Sequence, residues 1–407
     1  MRSDAGAGSS GRQGASSVVR EIWRRTRSVE ATVVRIRHRL HARPELSGSE
    51  AATAKIVEGR LRRLGLEPRS QVGGHGVVAE IHGDQPGRTL LLRADMDALP
   101  IHEAGEKPYR SCRAGVMHAC GHDGHTAILL GVATVLMSLR NRLRGRVRLV
   151  FQPAEETVDG ARAMCAEGAA DGVDGALALH GWPGLPLGTV AISPGPNMAA
   201  ADMFRCEIRG RGGHAAYPHE ARDPIVAAAN VVLAWQTIVS RHVPPQEPAV
   251  LTVGRIAAGS AHNIIPEGAW LQGTVRTISG DLRAQMPGLL QRIGDGVCAA
   301  HGTTCEVAYS YGPPAVVNDP RMAALVERAA TDMLGPDRVH PIGAPSMGGE
   351  DFAEFMQRAP GALFRLGLGE VAPIHTPEFD FADDALAAGV AVFCRAATLF
   401  LSDPSDA

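Results

Sequence analysis

The sequence has no CxxC pair, no apolar leader, no internal repeat and almost no net charge. Its seven cysteines (112, 120, 165, 206, 298, 305 and 394) stand singly and are odd in number. That pattern argues against a paired disulfide framework and for the reduced thiols of a cytoplasmic protein. Lys and Arg total 41 against 43 Asp and Glu, a formal charge of -2, so no basic field argues for nucleic acid or an anionic membrane. The opening MRSDAGAGSSGRQGASS is Gly/Ser-rich without an apolar h-region, so residues 1–17 read as a disordered tail and not as a signal peptide. No apolar run reaches the roughly 18 residues that span a bilayer. What remains is a 407-residue chain with 45% hydrophobic and 21% charged residues, long enough for two or three globular domains.

Helical patterning runs from Val18 to about Leu64, broken at HARPELSG by Pro44 and Gly48. Short apolar runs then recur at Val77 to Ile81, Thr89 to Arg93, Val147 to Phe151, Ala176 to Leu179 and Ala362 to Leu366. Several lack alternation, as strands covered on both faces do. Helices are expected between them, at His125 to Leu143 and Asp159 to Glu167, which together predict an α/β layered domain. The middle of the chain changes character. A strand (Met203 to Arg209), helix (Pro224 to Arg241), two strands (Pro248 to Ile256, Ala269 to Ile278), helix (Leu282 to His301) and strand (Thr304 to Tyr311) follow in the order of a ferredoxin-like unit. Pro194, Gly195 and Pro196 before it, and Gly312, Pro313 and Pro314 after it, mark hinges.

Acid, imidazole and thiol side chains follow these strands closely. TLLLRADMD ends in Asp95 and Asp97, VRLVFQPAEE leads to Glu155 and Glu156, ALALH ends at His180, and LFRLGLGEVAPIH leads to His375. MHACGHDGH adds His118, Cys120, His122, Asp123 and His125 in a Gly-containing loop before a long helix. Each has an ordinary reading alone: a capping histidine, a small buried thiol, acids at a helix start. In an open α/β sheet the carboxyl ends of parallel strands form the ligand crevice, so five such segments converge on one rim. Imidazole, thiolate and carboxylate together suit Zn²⁺ or a similar first-row ion. Five donors exceed the three that one catalytic ion takes, and two ions sharing a water is the economical arrangement. Cys120 and His122, two apart, must ligate from the loop. Of the adjacent glutamates one faces the metal and the other stays available as a general base.

The stretches 38–50, 90–103, 117–131, 147–156, 178–195, 211–224, 263–277, 347–355 and 374–381 resemble the M20 family of metal-dependent amidohydrolases. The branch is that of hippurate hydrolase, N-acyl amino acid amidohydrolases and auxin-conjugate hydrolases. The resemblance implies two divalent ions (Zn, Mn or Co) on Cys120, His122, Glu156, His180 and His375, Glu155 as catalytic base, and Asp95 and Asp97 behind the ligands. It further implies a homodimer through the inserted domain, with His214 reaching the partner's site as oxyanion donor. Asn263 is a candidate substrate contact. Arg276 either meets a substrate carboxylate or sits on a solvated face, and Glu350 and Asp351 either cap a helix or position substrate.

The resulting expectation is an α/β, mixed-sheet metallopeptidase-like catalytic domain, 18–197 and 313–407, with a ferredoxin-like α+β dimerisation domain inserted at 198–312. The expected reaction is amide hydrolysis of N-acyl amino acids such as hippurate, by a metal-bound water that Glu155 activates. The other readings are a dipeptidase or deacetylase of a small biosynthetic intermediate, a silent binding protein on the same scaffold, and a zinc-stabilised structural protein. The last would show four ligands in close pairs instead of dispersed ones.

Overall fold

The computed structural model describes residues 7–402 and divides into two compact units. Unit 1 comprises the chain up to Gly195, Val317–Gly343 and the chain from Glu354; unit 2 comprises Pro196–Val316 and Ala344–Ala353. Of the tail expected over 1–17, the first six residues lie outside the described ones, and helix α1 (Ala7–His41) begins at the seventh.

Unit 1 opens with α1 and α2 (Ala51–Arg63). Ile22, Val33, Ile36 and Leu40 give α1 a buried stripe at helical spacing, and His38, Arg39 and His41 place basic groups at its carboxyl end. The first turn of α2 is satisfied by a residue from outside the helix: Glu45 Oε2 accepts the Thr53 N–H at 2.8 Å. There follow β1 (Arg69–Val72), β2 (Gly76–His82), β3 (Gln85–Asp95), α3 (His122–Met137), β4 (Arg144–Gln152), α4 (Gly160–Ala166), β5 (Gly175–Trp182) and β6 (Val190–Ala191). The short strands β7 (Gly195–Met198) and β14 (Val316–Asn318) lie where the chain leaves and re-enters the unit. Beyond them come α7 (Pro320–Leu334), β15 (Val339–His340), the single turn α8 (Ala353–Met356), β16 (Gly361–Gly367) and α9 (Leu386–Ser402).

Eight strands form one mixed sheet in the order β1-β2-β4-β3-β5-β16-β6-β15. Its centre is parallel: β3 pairs in parallel with β4 and β5, and β5 with β16. Leu90, Leu92, Leu149, Leu177 and Phe364 on these strands share one apolar core with α1, α3 and α9. Each such side chain contributes about 1.5–3 kcal/mol by leaving water. Because the four central strands run the same way, their carboxyl ends share one edge.

One expectation is corrected here. Helix α3 starts at His122 and ends at Met137, three residues earlier and six earlier than the expected 125–143. Gly121, at φ 90°, turns the chain into the helix in a left-handed conformation that a Cβ would strain, and a Cβ there would lie 2.9 Å from Phe381. Segment Asp383–Ser402, whose apolar run Arg395 interrupts, is long and apolar enough to cross a membrane by length and composition alone. Of its 18-residue apolar window 89% is buried within the protein, since it packs as a core helix on α3, α7 and the sheet.

Unit 2 contains β8 (Ala200–Arg209), β9 (Gly213–His214), α5 (Pro224–Thr237), β10 (Ala249–Ala258), β11 (Ile264–Ile265), β12 (Gly268–Thr277), α6 (Gly280–Ala300) and β13 (Thr304–Ser310). The four long strands form an antiparallel sheet in the order β10-β12-β8-β13. Trp235 and Leu290 from the two helices close its core with Phe204 and Leu271. The sequence alternation of β8, β12 and β13 matches this one-sided cover.

Candidate active site

The carboxyl edge of the parallel strands gathers the expected side chains of unit 1. Donor atoms of Cys120, His122 and His180 lie within 4.8 Å of one another, as do those of Cys120, Glu156 and His375, and those of His122, Glu155 and Glu156. Cys120 Sγ is 3.4 Å from His180 Nε2, and Glu156 Oε1 is 3.4 Å from His375 Nε2. Glu155 Oε2 and Glu156 Oε1 are each 3.9 Å from His122 Nε2. Only Glu156 belongs to the group containing Cys120 and His375; Glu155 meets the cluster at His122.

Hydrogen bonds decide which imidazole nitrogens face inward. His122 Nδ1 lies 3.0 Å from the Asp97 carbonyl and 3.1 Å from its Oδ1, which makes Nδ1 a donor and turns Nε2 toward the cluster. His180 Nδ1 donates to Gly181 O at 2.8 Å, with the same result. His125 differs. Its Nδ1 donates to Asp95 Oδ1 at 2.6 Å while its Nε2 accepts the Gly181 N–H at 2.9 Å, so it ties β3 to β5 and has no nitrogen to offer. Asp97 orients His122; Asp95 serves His125 and Arg93, whose Nη1 is 2.6 Å from Asp95 Oδ2.

His122 Nε2 and Glu156 Oε1 are buried and have no hydrogen-bond partner. A buried polar atom without a partner is costly, and a metal cation is what an imidazole nitrogen and a carboxylate oxygen at this separation could share. The thiol, imidazole and carboxylate set fits first-row divalent ions. Burial pushes the Cys120 thiol well above its ordinary value, and burial together with His125 lowers His180 to about 3. A neutral His180 is the form that binds a metal, and a cation would draw the proton from Cys120.

The segment bearing the two glutamates is tightly bent. Ala154 (φ 53°) and Val158 (φ 57°) are left-handed, as is His375 (φ 62°). This conformation costs a non-glycine residue about 1–2 kcal/mol, so surrounding contacts must impose it. The Glu156 N–H donates to Asp97 Oδ2 at 2.9 Å, the Ser47 hydroxyl donates to the same oxygen at 2.7 Å, and the Ala154 N–H donates to Glu50 Oε1 at 2.8 Å.

Behind the cluster lies a polar network that the sequence reading did not include. Arg37, fully buried on α1, binds Asp123, Asp380 and Asp383. His41 contacts Asp123 Oδ2 at 2.9 Å and Glu103 Oε1 at 3.0 Å. Residues 37 and 41 stand four apart beside the buried Ile36 and Leu40, and such polar residues on a core stripe were the available signal. Burial opposes charge on His41, but Asp123 and Glu103 outweigh it and raise its pKa from 6.5 to about 9. The sign follows: this pairing stabilises the fold fully below pH 6.5 and is lost as the pH rises through about 9. Urea unfolding midpoints should therefore fall over that interval, and the fall should be absent in His41→Gln. A flat wild-type profile would remove the charged assignment.

The remaining predicted residues belong to unit 2. His214 is exposed on β9, opposite Ile264 of β11, and Asn263 O accepts the Ala215 N–H at 3.1 Å, so these two are neighbours. Arg276 is half-buried on β12, in a different sheet. Glu350 is buried and its Oε1 accepts the Phe352 N–H at 2.9 Å.

A parallel sheet edge that carries a thiol, inward imidazoles and paired carboxylates is an α/β centre able to hold a divalent metal and activate water. The model of peptidase family M20/M25/M40 matches residues 91–399, and the chain belongs to this family of hydrolases. It is 40% identical over 363 residues to the N-acetyl-L-cysteine deacetylase of Bacillus subtilis, covering 88% of this chain and 86% of that one. It is 45% identical over 306 residues to the N-acyl-L-amino acid amidohydrolase of Geobacillus stearothermophilus, covering 74% and 83%. A solved dinuclear metal-binding peptidase of family M20 from Bacillus subtilis superposes with a TM-score of 0.82 at 33% identity, covering 92% of this chain and 99% of that one.

Proposed function

We propose that the protein hydrolyses the amide bond of N-acyl amino acids, hippurate-like compounds included, to a carboxylic acid and a free amino acid. Cys120, His122, Glu156, His180 and His375 would hold two divalent ions, and Glu155 is the base. The observation that carries this reading is the asymmetry of the glutamate pair: Glu156 joins Cys120 and His375, while Glu155 meets the cluster at His122 without joining that group. The names of the two relatives above, both acting on N-acylated substrates, support the substrate class.

Bound at these residues, the ions would supply Lewis acidity, polarising the amide carbonyl and acidifying a water. Glu155 accepts the proton of the attacking water and returns it to the leaving amine nitrogen. Asp97 holds His122 in the tautomer that presents Nε2 inward. The chains pair through unit 2, where Ile225, Val226 and Leu233 of α5 are exposed. His214 of the partner subunit donates from Nε2 to the oxyanion, a role its geometry suits because Nδ1 already accepts the Ala216 N–H at 3.0 Å. The single cysteines favour a reducing, cytoplasmic compartment.

The test is a panel of acetyl, benzoyl, long-acyl and indole-acetyl amino acids, assayed with Mn²⁺, Co²⁺ or Zn²⁺. Metal-dependent release of free amino acid is expected. His214→Ala should lower turnover, and mixed dimers with metal-site variants should recover it. A metal-loaded dimer that cleaves none of the panel would overturn the reading.

A further inference from the structure

Glu50 begins α2, yet it makes no side-chain cap bond to that helix; Glu45 supplies the cap instead. Its side chain nevertheless lies wholly out of water. Glu50 Oε1 accepts two backbone N–H groups, from Gly48 at 2.9 Å and from Ala154 at 2.8 Å, while Oε2 is buried with no hydrogen-bond partner. A buried carboxylate with one unsatisfied oxygen is a poor structural device, since a smaller neutral group would serve the fold better. What it does touch is informative. Ala154 immediately precedes Glu155 and holds a left-handed φ of 53°. Two residues on, Asp97 grips the Glu156 N–H, so the loop 45–50 and Asp97 clamp the glutamate pair from both sides. Behind the pair the turn closes without slack: a Cβ on Gly160 would lie 1.7 Å from Pro153 O.

We propose that Glu50 is a positioning residue for Glu155: by accepting the Ala154 N–H from a buried, fixed carboxylate, it imposes the left-handed turn that sets the direction of the Glu155 side chain. The proposal rests on Glu155 being the base. It assigns a role to the PELSGSE stretch, which the ligand set leaves unexplained.

The test uses metal-replete dimer and an N-acyl amino acid that the wild type cleaves. Glu50→Ala should lower kcat by up to about a hundredfold, the scale of a misplaced catalytic group, with KM unchanged. Glu50→Gln keeps an oxygen acceptor and should retain most of kcat. Ala154→Gly, which adopts positive φ without strain, should restore turnover to Glu50→Ala. The double variant Glu50→Ala/Glu155→Gln should be no slower than Glu155→Gln alone, because a residue acting through Glu155 has nothing left to position. Should Glu50→Ala fail to fold, Glu50→Asp, one methylene too short to reach Ala154, takes its place under the same criteria. Additive losses in the double variant, or no rescue by Ala154→Gly, would overturn the proposal while leaving the base in place. A near-normal Glu155→Gln would instead overturn the base, and the positioning role with it.

Discussion

Glu155→Gln should retain fold and metal content yet lose about 10²–10⁴-fold in kcat, the range that a general acid–base group supplies. The substitution is nearly isosteric, so the bend at Ala154 and the Glu156 N–H bond to Asp97 should persist. Glu156 should keep its place 3.4 Å from His375 Nε2. What is lost is the capacity to take a proton and return it. The effect should therefore fall on kcat, with KM and metal stoichiometry close to those of the wild type. Glu156→Gln offers the contrast, since its loss should be repaired in part by added metal. Turnover of Glu155→Gln near the wild-type rate would require a different base.

Arg37→Ala should lower unfolding stability by about 3–5 kcal/mol, the effect of removing one side of a buried ion pair. Arg37 is fully buried and serves three carboxylates, of which Asp123 is itself buried completely. Removing the guanidinium leaves Asp123 with His41 as its cationic neighbour, and leaves Asp380 with Lys107 and Tyr109 and Asp383 with His38. Arg37→Lys should recover only part, because one ammonium cannot bind three acids in separate directions. Denaturant titration of all three proteins measures this, and an Arg37→Ala midpoint equal to the wild type would show the network to be ornamental. Activity should fall as well. Asp123 follows His122, and Asp380 lies five residues after His375, so the network fixes both ends of the donor cluster.

The parts of the fold legible in advance were those where local pattern and tertiary cover agree. The unbroken apolar runs of β3 (Leu90–Leu92), β5 (Ala176–Leu179) and β16 (Ala362–Phe364) announce strands covered on both faces, and the alternation of β8 and β12 announces a one-sided sheet. The start of α3 was less legible, because nothing in MHACGHDGH states that Gly121 turns left-handed against Phe381. Arg395 interrupts the apolar span Asp383–Ser402; in the fold that side chain pairs with Asp332 while the helix packs into the core. For the site, residue type and strand-end position were enough to collect the donors. They could not separate His122 from His125, which share a loop and differ only in whether Nε2 is already occupied by the Gly181 N–H. Nor could they find Arg37, His41 or Glu50, whose long-range partners lie between 62 and 346 residues away. Such pairings exist only once the sheet has its register.

The sheet order places β16 between β5 and β6, although about 180 residues of chain separate it from β5. A growing polypeptide therefore exposes an open β5 edge until residues 361–367 have left the ribosome. Any nonsense codon before residue 361 leaves that apolar edge permanently bare, ready to recruit a strand from another molecule. Such truncated products should accumulate as insoluble aggregates and not as inactive, soluble fragments.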